Sequence, residues 1–147
     1  MGDVVELLVP ARAEYLALVR LVVSAAVAID AGLSESRIGD LKLAVSEACT
    51  NAMEAANRAD DAEQVLVRCS IDDERVEVLV RDRGMGFDPA SLRPHPPVTD
   101  PARLDFERGL GIPLIRALTD EVTFESSEKG TDVCLVLYLG EPPEGLG

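Results

Sequence analysis

Glu47 and Asn51 lie four residues apart in a stretch of helical period, so their side chains share one helix face, a turn apart. They stand away from the apolar stripe formed by Leu41, Val45, Ala48, Ala52 and Ala56. An amide oxygen is a neutral, hard donor for Mg²⁺, which prefers oxygen ligands, keeps several waters and is usually shared with phosphates. A carboxylate one turn earlier can accept a proton from a hydroxyl or position a water. Taken alone, the pair is better read as an ordinary solvated face.

Asp82 ends a strand-like run, and Gly84 and Gly86 follow at alternate positions. A carboxylate there can accept a hydrogen bond from an adenine amino group, whereas guanine would present an acceptor to it and be rejected. The glycines permit positive φ and close approach of a base or ribose to the backbone. A plain turn explains an isolated DxGxG better, since Asp and Gly are common turn residues. Gly109 and Gly111 bracket a helix start, where free N–H groups and the helix dipole can cradle phosphate, with Leu110 between them and Arg108 beside them as a cation. A simple helix cap is the plainer reading of that segment. Neither segment is a P-loop or a dinucleotide-binding fingerprint. Thr131, after Gly130, offers a hydroxyl at the start of the last strand, although a structural strand threonine is the commoner case. Individually weak, together these pieces are what a small domain needs to hold Mg·ATP.

The elements that must position them follow from pattern. Residues 4–9 read as a first strand ending at Pro10, and residues 11–31 as one long apolar-rich helix stopped by Gly32. Ser34 can cap a second helix running to about Arg58. Residues 65–71 and 75–81 alternate as two strands around Asp72-Asp73-Glu74. Residues 89–107 hold five prolines and no sustained period, which marks a functional or disordered loop. A short helix spans residues 110–118, with Pro113 in its first turn, and strands at 121–126 and 132–139 close a hairpin around residues 127–130. The order predicts an α+β fold: a two-layer sandwich of a mixed, mostly antiparallel sheet with helices on one face.

At 147 residues the chain is sized for one domain, here residues 1–140 with a frayed Pro- and Gly-rich tail at 141–147. Apolar residues make up 47% of it, which argues against disorder. The 14 basic and 27 acidic residues leave a net charge of −13, which disfavours binding to nucleic acid or an anionic membrane. The same field opposes free ATP, so a nucleotide site must be built from local dipoles and a metal ion. An acidic surface suits a basic protein partner, and serves equally for solubility alone. Cys49, Cys69 and Cys134 have no CxxC spacing and read as reduced core residues. Residues 16–29 contain Arg20 and Ser24 and are too short to span a bilayer, and no signal peptide is recognisable, so a cytoplasmic protein is expected.

With the residues in this order, Glu47-Ala48-Cys49-Thr50-Asn51-Ala52 resembles the N box, Asp82-Arg83-Gly84-Met85-Gly86-Phe87 the first glycine box and Arg108-Gly109-Leu110-Gly111 the second. Lys129-Gly130-Thr131 resembles the terminal threonine motif. The set is that of the GHKL ATPase superfamily, and the short format resembles the RsbW-type anti-sigma-factor serine kinases. The resemblance covers residues 4–139 and is specific as a set. It implies a Bergerat-type, histidine-kinase-like ATPase fold in which residues 89–107 are the ATP lid.

The same resemblance implies that Glu47 is the general base for the attacking serine hydroxyl and Asn51 the Mg²⁺ ligand. Asp82 would bind the adenine amino group, supported by Thr131. Gly84 and Gly86 would shape the adenine pocket, while Gly109, Leu110 and Gly111 would offer N–H groups to the phosphates. Arg108 would face the transferred phosphoryl group or the incoming protein. Ala55 departs from the histidine that many members carry after the N box. The implied partners are a sigma factor, an anti-anti-sigma protein of STAS type and a second copy of the chain; the apolar residues 11–31 could supply the dimer contact or equally be spent covering the sheet. A catalytically silent ATP-binding module of the same fold is the alternative. A histidine autokinase is disfavoured, because the one histidine, His95, sits between prolines.

Overall fold

The computed structural model describes residues 2–30, 33–58, 64–82, 111–127 and 130–139. Strand β1 (Asp3–Pro10) leads through a 3-10 turn at Ala13–Tyr15 into helix α1 (Leu16–Asp30) and helix α2 (Glu35–Arg58). Strands β2 (Gln64–Ile71) and β3 (Arg75–Asp82) follow, then helix α3 (Gly111–Leu118) and strands β4 (Glu121–Ser127) and β5 (Gly130–Tyr138). The expected lid at 89–107 and the tail at 141–147 lie outside the described residues.

The five strands form one sheet in the order β1-β2-β3-β5-β4, and every neighbouring pair is antiparallel. The parallel component expected of a mixed sheet survives only as direction. β3 and β4 run the same way, with α3 between them in sequence, but β5 lies between them in the sheet. β1 and β2 are joined through two helices, which go out and back, so those strands pair antiparallel.

Alternation along the paired strands puts Val65, Val67, Cys69, Val76, Val78, Val80, Val133, Leu135 and Leu137 on one face, all buried. Val19, Val23 and Val27 of α1, Leu41, Val45, Ala48, Cys49 and Ala52 of α2, and Ile112 and Ile115 of α3 are buried with them. This single apolar layer between helices and sheet is the main source of stability.

Local chemistry explains the element boundaries. The helix expected from residue 11 begins later, because Arg12 is extended at φ −133 and ψ 137. Its N–H donates to the Pro10 carbonyl at 2.7 Å, its carbonyl accepts from the Tyr15 N–H, and its guanidinium lies 5.4 Å from the Tyr15 ring centroid. Ser34 caps α2 as expected, its Oγ accepting from the Arg37 N–H at 3.2 Å. In the β2–β3 turn Asp72 Oδ1 accepts from the N–H groups of Glu74 and Arg75 at 2.7 and 2.9 Å. The final strand begins at Gly130, two residues earlier than expected. Gly130 has φ 132, a conformation that L side chains rarely adopt, and it pairs with Ser127.

Candidate nucleotide site

The early start of β5 carries Thr131 into the ladder directly opposite Asp82. Both side chains lie on the helix-covered face, at 4% exposure for Asp82 and 2% for Thr131. An ionisable carboxylate so buried is costly unless polar groups or a ligand compensate it. No buried polar side-chain atom among the described residues lacks a hydrogen-bond partner, and Asp82 and Thr131 are both engaged. The rest of the Asp82 row is valine, which makes the polar end of β3 distinct from its apolar length.

α2 packs across β2, β3 and β5 and contacts α1 and α3. Glu47 and Asn51 are half-buried on it, neither in the core nor on its most exposed side. The neighbouring hydroxyls are occupied by the helix backbone: Ser46 Oγ donates to the Lys42 carbonyl and Thr50 Oγ1 to the Ser46 carbonyl, both at 2.8 Å. Arg20 of α1 donates to Ser46 Oγ at 3.3 Å, tying the two helices together one residue before Glu47. Ala55 is buried, so the position of the family histidine belongs here to the packed side of α2.

Gly111 opens α3, which packs against α2. Glu47 and Asn51 thus lie on α2, Gly111 at the start of α3, and Asp82 and Thr131 on paired strands, with α2 in contact with α3, β3 and β5. Gly84, Gly86, Arg108, Gly109 and Leu110 lie outside the described residues.

The donor set is a test of metal chemistry. No cluster of three or more His, Cys, Asp or Glu side chains that could hold a metal occurs among the described residues. An Asn51 amide beside a Glu47 carboxylate is a hard oxygen pair, too sparse to hold a metal alone. It fits Mg²⁺, which completes its shell with water and phosphate. Thiol ligation does not fit. Burial pushes the Cys49 thiol up to about 12 and the Cys69 thiol up to about 11, so both stay neutral in the core. Cys134 is half-buried on the opposite sheet face.

One feature beside the site was missed from the sequence. Arg81 and Asp132, one rung in from Asp82 and Thr131, form a two-pronged ion pair across β3 and β5, with Nε–Oδ1 at 2.8 Å and Nη2–Oδ2 at 2.9 Å. Its only sequence signal is opposite charges flanking two residues that nothing local shows to be partners.

Residues 9–137 match the histidine kinase-like ATPase domain family. Serine-protein kinase RsbW of Bacillus subtilis is 39% identical over 142 residues, spanning 94% of this chain and 87% of that relative. RsbW of Staphylococcus epidermidis is 38% identical over 141 residues, spanning 93% and 87%. The chain belongs to the RsbW-type serine-protein kinases. A crystal structure of RsbU and RsbW domains from Mycobacterium tuberculosis matches the fold with a TM-score of 0.68 at 22% identity, over 95% of this chain and 33% of that longer one. As an RsbW-type kinase the protein binds ATP and phosphorylates protein serine, and its antiparallel sheet under three described helices is the expected α+β architecture. No helix among the described residues is long and apolar enough to cross a membrane.

Proposed function

We propose that this kinase sequesters a sigma factor and phosphorylates a serine on an anti-anti-sigma protein of STAS type, in the cytoplasm, as one domain over residues 1–140 closed by a lid at 89–107. The observation that carries this reading is the buried Asp82–Thr131 pair lying on the sheet face that α2, with Glu47 and Asn51, covers. The family to which the chain belongs supplies the choice of partners.

Asp82 accepts a hydrogen bond from the adenine amino group and Thr131 supports it. Gly84 and Gly86 leave room for the base, while N–H groups of Gly109, Leu110 and Gly111 face the phosphates with Arg108 beside them. Asn51 would hold Mg²⁺, which when bound neutralises phosphate charge. The Glu47 carboxylate takes the proton of the serine hydroxyl as its oxygen bonds to the γ-phosphorus and the bond to ADP breaks. Phosphoryl transfer asks mainly for positioning and charge neutralisation, so this short set of groups suffices.

A homodimer accompanies this role. The inner face of α1 is spent on the sheet, but Leu18, Leu21 and Ile29 remain 41%, 65% and 80% exposed. With Ala17, Ala25 and Ala28 they form an outer stripe without a charged side chain.

The test is incubation with γ-labelled ATP and a STAS-type anti-anti-sigma protein. Label on the partner's serine, lost with Glu47→Gln, supports the assignment. Nucleotide binding without transfer to any such partner favours a silent ATP-binding module instead.

A further inference from the structure

We propose that Arg81 and Asp132 are positioning residues that hold Asp82 and Thr131 in nucleotide-binding register from the opposite face of the sheet, and thereby set base selectivity. The inference rests on Asp82 being the adenine-binding carboxylate.

Consecutive strand residues point to opposite faces. Arg81 and Asp132 therefore stand outside the pocket while their neighbours Asp82 and Thr131 face it. Farther along, the β3–β5 ladder is locked by the buried pairs Val80 with Val133, Val78 with Leu135 and Val76 with Leu137. The Asp82–Thr131 rung is the last of the ladder among the described residues and is polar where the other rungs on its face are apolar. Strand ends open most readily. The forked ion pair sits on the next rung, where its planar geometry fixes the relative shift of the two strands.

The β4 side makes the pair more consequential. Asp132 also lies opposite Glu125, and like charges facing each other across strands repel. Arg81 offsets that repulsion. Without it the Asp132–Glu125 contact pushes β5 outward at the rung beside Thr131.

The experiment titrates ATP and GTP into the wild type, Arg81→Gln, Asp132→Asn, Arg81→Lys and the charge swap Arg81→Asp with Asp132→Arg, with thermal melts of each. Asp82→Asn serves as the reference for lost selectivity. The expected result is ATP binding weakened about three- to tenfold in the two neutral variants, with a narrowed ATP-to-GTP ratio. Arg81→Lys, which keeps the charge but not the fork, falls between, and the swap recovers selectivity. Should Arg81→Gln or Asp132→Asn fail to fold, the lysine variant and the swap decide the matter. Wild-type selectivity in the folded pair variants, with selectivity lost in Asp82→Asn, overturns this inference and leaves the nucleotide site standing. A wild type that binds no adenine nucleotide, or an Asp82→Asn protein that still discriminates, removes the underlying assignment and this one with it.

Discussion

Glu47 is half-buried one helical turn from Asn51, next to helix hydroxyls already committed to backbone carbonyls. Glu47→Gln keeps the shape and removes the base. Steady-state transfer to the protein substrate should fall by about 10²- to 10⁴-fold while nucleotide affinity, followed by calorimetry, holds. The buried thiols carry a separate expectation. Cys49 and Cys69 are pushed up to about 12 and about 11 in the folded chain, so they ionise first in the unfolded one. Their contribution is complete at neutral pH and is lost as pH climbs above about 9. Denaturant midpoints measured from pH 7 to 10.5 should decline over that upper range, and less steeply in Cys49→Ala.

Among the elements, α2 depends on a single side-chain cap. Ser34→Ala should cost about 0.5–2 kcal/mol, read as a lower melting temperature with an unchanged fold. Gly130→Ala should cost about 1–3 kcal/mol through the strained φ. It should also weaken ATP binding, since the strained residue immediately precedes Thr131. That position shows where the sequence stops being legible. The helices and strands were readable from apolar period, and so was the Ser34 cap, because those signals are local. Alternation cannot say at which residue a hairpin ladder begins, so only the family resemblance links Thr131 to Asp82 in the sequence. Its pairing with Asp82 depends on residues 49 positions apart being brought together by α3 and β4. The Arg12 break was hidden for a different reason: residues 11–15 hold no glycine or proline to mark it, and only a backbone turn at Pro10 interrupts the helix.

On the scale of the molecule, one face of the sheet and the inner sides of the three described helices account for the core of the described residues, and α1 keeps an apolar outer side. Leu21→Glu together with Ile29→Glu should leave the core intact and shift sedimentation from dimer to monomer at micromolar concentration. A dimer unchanged by both substitutions would place the interface elsewhere. The surrounding acidity predicts that binding of a basic partner weakens as salt rises, whereas ATP affinity, built from local groups, responds less.

The placement of β5 between β3 and β4 has a consequence for biogenesis. β5 leaves the ribosome after both of the strands that it separates, so until it inserts, β3 and β4 are open edges there and the proposed adenine site lacks one wall. On that proposal a nascent chain halted after residue 127 should fail to capture nucleotide, and ligand rescue during synthesis should begin only once Gly130–Tyr138 has emerged.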